Sequence, residues 1–404
     1  MNISTELEKG LNQSQLTALH IIGSECDQKS VKAFLVGGTV RDVLLSRDVS
    51  DIDIAIEGHP SCITDSMSQK GSLEVISTSN FGTQKTRMGD IKIDLAMART
   101  EEYPVPVALP KVLPSDINED LKRRDFTVNS MAVSLSDGSW GQLLDPHEGL
   151  LDIRRKQIRI LHSNSFRDDP TRIFRAFRYS MRLDFSIDPL TNKLITDSVE
   201  LVNELSGSRI VNELACIYKE HKVVSILKRL EKDCVFANIH EGWSFTERIF
   251  DSIELLIKCD PFDANALFVV LTAELTQRDR EELFIRLNLD NASMKSISDF
   301  SIVEGFDTSI NPSDLYNKLK PCSSSAIRAG KAFFTKTRRE RLVFFSDKLK
   351  NFILEIDGND LLALGISEGP TVGATLKLLQ DCALDQGITG RKAQMELVVK
   401  LLVN

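Results

Sequence analysis

Strand signals stop early in this 404-residue chain, and that break constrains its fold more than any other feature. Between Val31 and Met97, short apolar runs and alternating apolar and polar residues recur, bounded by glycines and polar turns. From about residue 165 onward the pattern becomes helix after helix with short turns. Mixed strands and helices first, helices afterwards, predicts an α+β architecture: a head with a mixed β-sheet and helices, joined to an all-helical region. The length exceeds what one core of ordinary size accommodates, so two to four domains are expected.

Within the first 100 residues the pattern is specific. Leu7, Leu11, Leu16, Leu19 and Ile22 predict a helical lead over residues 1 to about 30. Val31 to Val36 reads as a strand ended by Gly37-Gly38, and Thr39 to Ser46 as a helix. Asp51 to Ile56 is a second strand. Further strands are expected at Leu73–Ser77, Gly82–Met88 and Ile91–Met97, with Gly89-Asp90 as the hairpin turn between the last two. Tyr103 to Pro110 reads as loop, and no internal repeat or low-complexity linker is present.

Composition excludes several classes. With 42% hydrophobic and 27% charged residues the chain is neither disordered nor membrane-embedded. No apolar run reaches the roughly 18 to 20 residues that a membrane span needs, and the first residues show no basic start followed by an apolar stretch; a cytoplasmic location is expected. The seven cysteines are scattered, never in a Cys-x-x-Cys pair, and are expected to be reduced and mostly buried. A net charge of −8 argues against coating nucleic acid through overall charge, so any such contact must be local.

The chemistry concentrates in three places. Asp51-Ile52-Asp53 follows the glycine turn, and on a strand residues i and i+2 share a face, about 6.5 to 7 Å apart. Two such carboxylates can hold a pair of metal ions for phosphoryl or nucleotidyl transfer. Alone, the pair also fits solvated strand charges; the upstream glycine turn, opening a helix with free N–H groups for phosphates, favours the catalytic reading. Asp94 is the candidate third carboxylate, or else a strand-end charge.

Second comes Asp120-Leu-Lys-Arg123-Arg124-Asp125-Phe-Thr-Val-Asn129, which offers cations for a triphosphate and polar groups for ribose hydroxyls, or a solvated helix flank. Third is Asp168-Asp169-Pro170-Thr171-Arg172, continuing through Arg175, Arg178 and Arg182 as a basic stripe on an amphipathic helix. An Asp and an Arg three residues apart can read the Watson-Crick edge of a base, or can simply pair with each other.

Taken together and in this order, the motifs resemble those of bacterial class II CCA-adding enzymes and the related poly(A) polymerases of the DNA polymerase beta superfamily. Leu35-Val-Gly-Gly-Thr-Val-Arg-Asp42 with Asp51-Ile-Asp53, Arg123 to Asn129, Leu144-Asp-Pro-His-Glu-Gly149, Asp168 to Arg172 and Ser208-Arg-Ile-Val-Asn-Glu213 are similar to successive family motifs, and Gly358 to Gly373 to the family's helical tail. The resemblance implies a nucleotidyltransferase head over 1–160, a neck with base selection over 161–220, a body over 221–310 and a tRNA-binding tail over 311–404. It implies that Asp51 and Asp53 bind Mg2+ and that Gly37, Gly38 and Arg41 lie beside the triphosphate; Asp94 stays the candidate third catalytic carboxylate. Arg124, Asp125 and Asn129 would contact triphosphate and ribose, Asp169 and Arg172 would select CTP or ATP, and Arg175 and Arg178 would complete the nucleotide-binding set.

Three positions depart from the family pattern. His147-Glu148 replaces Phe-Gly, which bears on the hinge between head and neck; Ser130 replaces Ala, and Asp168 replaces Glu. Lys336, Arg338, Arg339 and Arg341 are expected either to reach RNA phosphates or to be ordinary helix-surface charge.

The expected activity is CCA addition to the tRNA 3′ end from CTP and ATP. A-only addition, CC-only addition and poly(A) synthesis share the motifs and stay open. A small-molecule nucleotidyltransferase would not need the Asp169 and Arg172 pair or so much helix, and a catalytically dead RNA-binding adaptor would not need intact Asp51 and Asp53. No His-Asp doublet occurs among the six histidines, so an appended metal phosphohydrolase domain is not expected. The oligomeric state is not legible from the sequence.

Overall fold

The computed structural model describes residues 1–79, 82–102, 107, 111–259 and 263–403. The chain forms two compact units, one of Met1–Leu205 with Glu220–Ile239, the other of Ser206–Lys219 with His240–Asn404. The α+β class expected from the sequence is the one observed.

The first unit is built on a sheet. Its strands are β1 (Ala33–Val36), β2 (Ile52–Ile56), β3 (Glu74–Thr78), β4 (Thr83–Met88), β5 (Ile91–Met97), β8 (Ala132–Ser134) and β9 (Leu143–Leu144), ordered β3-β4-β5-β2-β1-β8-β9. Only β2 and β5 run parallel; all other neighbours are antiparallel. Gly89 takes a left-handed φ of 58° in the tight link from β4 to β5, as the Gly89-Asp90 turn requires. A separate antiparallel hairpin pairs β6 (Arg99–Glu102) with β7 (Lys111–Pro114). It was not expected: both strands are only four residues long, and β6 is polar throughout. Of the expected loop 103–110, Val107 is in a turn and the rest lies outside the described residues.

The helical lead is two helices, α1 (Ser4–Gly10) and α2 (Gln13–Gln28). The break falls at Leu11 because Asn12 and Gln15 form a reciprocal capping box that starts a new helix. Then follow α3 (Gly38–Leu44), α4 (Ser61–Gln69), α5 (Ile117–Lys122), α6 (Gly149–Arg155), α7 (Ser165–Asp168) and α8 (Thr171–Leu183). Past residue 165 a single strand element remains, Ser186–Ile187, which pairs in parallel with Gln157–Ile158.

The second unit is helical throughout its described residues. Trp243 is fully buried and donates from its indole N–H to the Leu271 carbonyl at 2.9 Å, while Phe300 stacks on Phe334 at 5.5 Å. The arginines expected at RNA phosphates are used structurally. Arg338 donates to the Val303 and Phe306 carbonyls and lies over Phe306, Arg339 donates to the carbonyls of Phe334 and Ala332, and Arg341 to that of Ile310. They satisfy main-chain carbonyls at and beyond helix ends, where cations are favoured; Lys336 alone of the four is exposed. All seven thiols are free, but only Cys26 is buried, which corrects the expectation that most would be.

The His147-Glu148 departure is accommodated locally. Asp145 caps α6 by accepting from the amides of Gly149 at 2.6 Å and Leu150 at 3.0 Å, and Glu148 adopts a left-handed φ of 61°, where the family pattern has glycine. Gly149 itself has no such latitude: an added Cβ would sit 2.3 Å from the Thr127 carbonyl oxygen. Gly149→Ala is expected to push α6 off the Thr127–Asn129 turn and cost about 1–3 kcal/mol, read as a lower first transition in calorimetry; an unchanged transition would show that α6 can shift freely.

Candidate nucleotidyl-transfer site

The site forms where β1 ends. Gly37 has φ 67° and ψ −129°, a conformation open to glycine, and it turns the chain from β1 into α3. An added Cβ there would lie 2.7 Å from Arg124 Nη1, so this guanidinium stands directly over the glycine turn. The Thr39 hydroxyl accepts from the Asp53 amide at 3.1 Å and donates to the Asp51 carbonyl at 3.2 Å, which ties the first turn of α3 to the start of β2.

Asp53 lies on β2 and pairs in parallel register with Asp94 on β5, placing the two carboxylates side by side. Asp51 precedes the strand and is exposed. Burial first, then the neighbouring Asp94 carboxylate, push the Asp53 pKa up to about 6, against the pull of Arg124 and Arg41. Burial also raises Asp94, with its cross-strand partner Lys85 opposing. The arrangement fits divalent cations, because a carboxylate pair crowded out of water is relieved by a bound cation and by little else.

Among the described residues, the trio whose ligand atoms all lie within 4.8 Å of one another is a different one, His240, Asp279 and Glu282 in the second unit. Three mutually repelling aspartates stand further apart. In the His240 trio, Nδ1 accepts from the Gly242 amide, so Nε2 carries the ring proton toward Glu282 and is not a free ligand.

Behind the carboxylates runs a buried polar chain. Asp42 accepts two bonds from Arg41, whose Nη1 donates to Asn129 Oδ1 at 2.6 Å. Asn129 Nδ2 donates to Asp125 Oδ1 at 3.0 Å, and Arg175 grips Asp125 Oδ2 from Nε and Nη2 at 2.8 and 2.6 Å. Burial opposes ionisation of Asp125, yet Arg175, Asn129 and Arg172 hold its pKa down at about 2. Asp120, also buried, accepts from Arg123 on one oxygen and Arg124 on the other.

The expected site residues therefore fall into two groups. Gly37, Gly38, Asp51, Asp53, Asp94 and Arg124 cluster at the glycine turn and on the adjoining interior strands β2 and β5. Arg41, Asp125, Asn129 and Arg175 form the buried chain, with Arg41 only 2% exposed. Arg172 is also buried; its Nη1 donates to Ser165 Oγ and its Nη2 to the Arg123 carbonyl, which joins α8 to the Arg123–Asn129 segment. Asp169 accepts from the Thr171 amide and hydroxyl at the start of α8. Arg178 and Arg182 both face Glu220. Sequence reasoning did not single out Thr39, Asp42, Asp120, Tyr179 or Glu220 as site residues; Thr39, Asp42 and Asp120 stand inside the motifs it quoted, while Tyr179 and Glu220 show no local signal.

Fold and site define a nucleotidyltransferase head, and residues 33–159 match the poly A polymerase head domain family. The chain is 38% identical over 230 residues to an A-adding tRNA nucleotidyltransferase of Aquifex aeolicus, covering 56% of this chain and 28% of that one. It is 29% identical to the Geobacter sulfurreducens A-adding tRNA nucleotidyltransferase, over 98% of this chain and 48% of the relative. The matches thus span half or less of these relatives' length. A solved CCA-adding enzyme in its apo form superposes with TM-score 0.83 at 26% identity, covering 99% of both chains. Residues 33–159 are thus similar to the poly A polymerase head domain, and the chain as a whole is similar in fold to the solved CCA-adding enzyme. Nucleotidyltransferases of this family generally use divalent metal ions. No helix among the described residues is long and apolar enough to cross a membrane.

The raised Asp53 pKa has a signed consequence. Because its native value of about 6 exceeds the ordinary 3.8, folding loses stability as pH rises between these values. Asp53→Asn is expected to raise stability at pH 7 by on the order of 2 kcal/mol without divalent cations, with the gain fading as pH falls from about 6 to about 4 and absent below, where the wild-type carboxyl is protonated in both states. Millimolar Mg2+ or Mn2+ should stabilise the wild type at pH 7 and the variant much less. Calorimetry across pH checks both; a variant that responds to the cations as the wild type does would contradict the assignment.

Proposed function

We propose that this chain is a template-independent nucleotidyltransferase that extends the tRNA 3′ end with C and/or A from CTP and ATP, with addition of the terminal A as its particular reaction. The observation that carries the activity is the side-by-side register of Asp53 and Asp94 next to a glycine turn lying under the Arg124 guanidinium. Preference for A addition rests on the 38% and 29% identity to A-adding relatives. Full CCA addition is the second reading, supported by the whole-length superposition on a CCA-adding enzyme. We place the activity in the cytoplasm.

In this reading Asp51 and Asp53 hold Mg2+ with Asp94 completing the carboxylate set, and the ions, when bound, polarise the α-phosphate and offset charge on the pyrophosphate. The Gly38 amide and Arg124 orient the triphosphate beside Gly37, whose own amide donates to the Met131 carbonyl. Asn129 and Asp125, held by Arg41 and Arg175, fix the ribose, while Asp169 and Arg172 read the base. The RNA 3′-hydroxyl loses its proton and forms the new O–P bond at the α-phosphate as the bond to the β-phosphate breaks.

The deciding assay gives the protein tRNA ending before the CCA, in C, or in CC, with CTP and ATP separately and together, products being resolved at single-nucleotide length. One A on the CC end is the expected result. Three added nucleotides would favour CCA addition, a stop after two CC addition, and long A tracts on any RNA poly(A) synthesis; no extension in the presence of Mg2+ would remove the enzyme reading.

Asp51→Ala and Asp53→Ala should each lower turnover by about 10³-fold or more while leaving tRNA affinity largely intact. Arg172→Ala should relax discrimination between ATP and CTP by about tenfold; equal losses for ATP, CTP and GTP would contradict its role in base choice.

A further inference from the structure

We propose that Tyr179 is a positioning residue for the incoming nucleotide, a neutral clamp that holds the arginines of the site together without cancelling their charge. The inference rests on the nucleotidyltransferase reading above.

Tyr179 lies half-buried on α8, one helical turn beyond Arg175. Four guanidinium groups surround its ring: those of Arg41, Arg175, Arg178 and Arg182, at 5.3, 5.4, 5.2 and 5.5 Å from the centroid. Three of the four come from α8 itself, but Arg41 belongs to α3, far away in sequence. Arg175 also donates from Nη2 to the phenolic oxygen at 3.3 Å. Phe126, in the Arg123–Asn129 segment, meets the ring edge-on at 5.9 Å and so fixes its plane.

Arg41 and Arg175 are the two ends of the hydrogen-bonded run through Asn129 and Asp125. Tyr179 touches both ends, which turns an open run into a closed ring. It is the member of that ring on which α3 and α8 meet through side chains that carry the same charge.

The chemistry explains why an aromatic stands there. Four cations face one another, with Asp42 paired to Arg41, Asp125 to Arg175 and Glu220 to Arg178 and Arg182. An aliphatic side chain would leave like charges opposed across a low-dielectric gap. A carboxylate in the place of Tyr179 would hold them but neutralise the positive field that attracts a triphosphate. The negative face of a neutral ring draws the guanidinium groups in and leaves their charge in place.

The test replaces Tyr179 with phenylalanine and then with mono-, di- and trifluorinated phenylalanines, which keep shape closely while stripping the ring face of electron density. With the phenylalanine protein as reference, each added fluorine should raise the KM for ATP, by about tenfold or more across the series, with smaller changes in kcat and constant tRNA affinity and melting temperature. Tyr179→Leu should raise the KM for ATP by at least as much as the trifluorinated variant. A flat series in an active enzyme overturns the inference alone, as does a KM rise that only tracks lost melting temperature and lost tRNA affinity. A wild-type chain that neither binds ATP nor extends RNA overturns the inference together with the reading on which it rests.

Discussion

A run of hydrogen bonds from Asp42 through Arg41, Asn129 and Asp125 to Arg175, buried at its centre, organises everything else at the site. Two of its links join segments far apart in sequence: Arg41 of α3 to Asn129, and Asp125, just ahead of the Thr127–Asn129 turn, to Arg175 of α8. Buried charges are costly unless paired and hydrogen-bonded, so such a run is stable complete and unstable broken. Asp125 shows the balance, since its burial is overcome by Arg175 and its pKa falls to about 2. The arginine stripe of α8 is thereby locked to the head and cannot be read as solvated helix surface.

On the solvent side of this frame the electrostatics are reversed. Asp53 and Asp94 are brought together by strand register rather than by attraction, and Asp53 is pushed up to about 6. A fold that spends stability on crowding carboxylates beside a glycine turn is arranged for a cation and an anion to arrive together. The two halves differ in kind: pre-paired groups hold geometry, while the carboxylates on β2 and β5 stay electrostatically unreconciled.

Much of this was legible in the sequence, for identifiable reasons. The strands β1, β2, β4 and β5 announce themselves because glycine turns bound short apolar or alternating runs, and the same glycines locate the site. The β6–β7 hairpin and the short β8 and β9 were missed, since pairing partners rather than local pattern make them strands. Residue types at the site were readable, but their duties were not. Arg41 looks like a phosphate ligand in the motif, whereas burial turns it toward Asn129. Arg338, Arg339 and Arg341 look like an RNA-binding run, whereas carbonyls at helix ends and in adjacent turns take their donors. Tyr179 carries no local signal, because its meaning lies in an arginine contributed by a different helix.

The central claim is that the buried ring, rather than any one of its members, shapes the nucleotide site. It is tested most directly by a double-mutant cycle on ATP affinity, measured calorimetrically with Mg2+ present, for Arg41→Lys, Arg175→Lys and the pair. If the ring acts as a unit, opening it once removes most of what it contributes, and the second substitution adds little: the double variant should bind almost as well as the worse single variant. Losses that simply multiply, as for independent sites, would contradict the account.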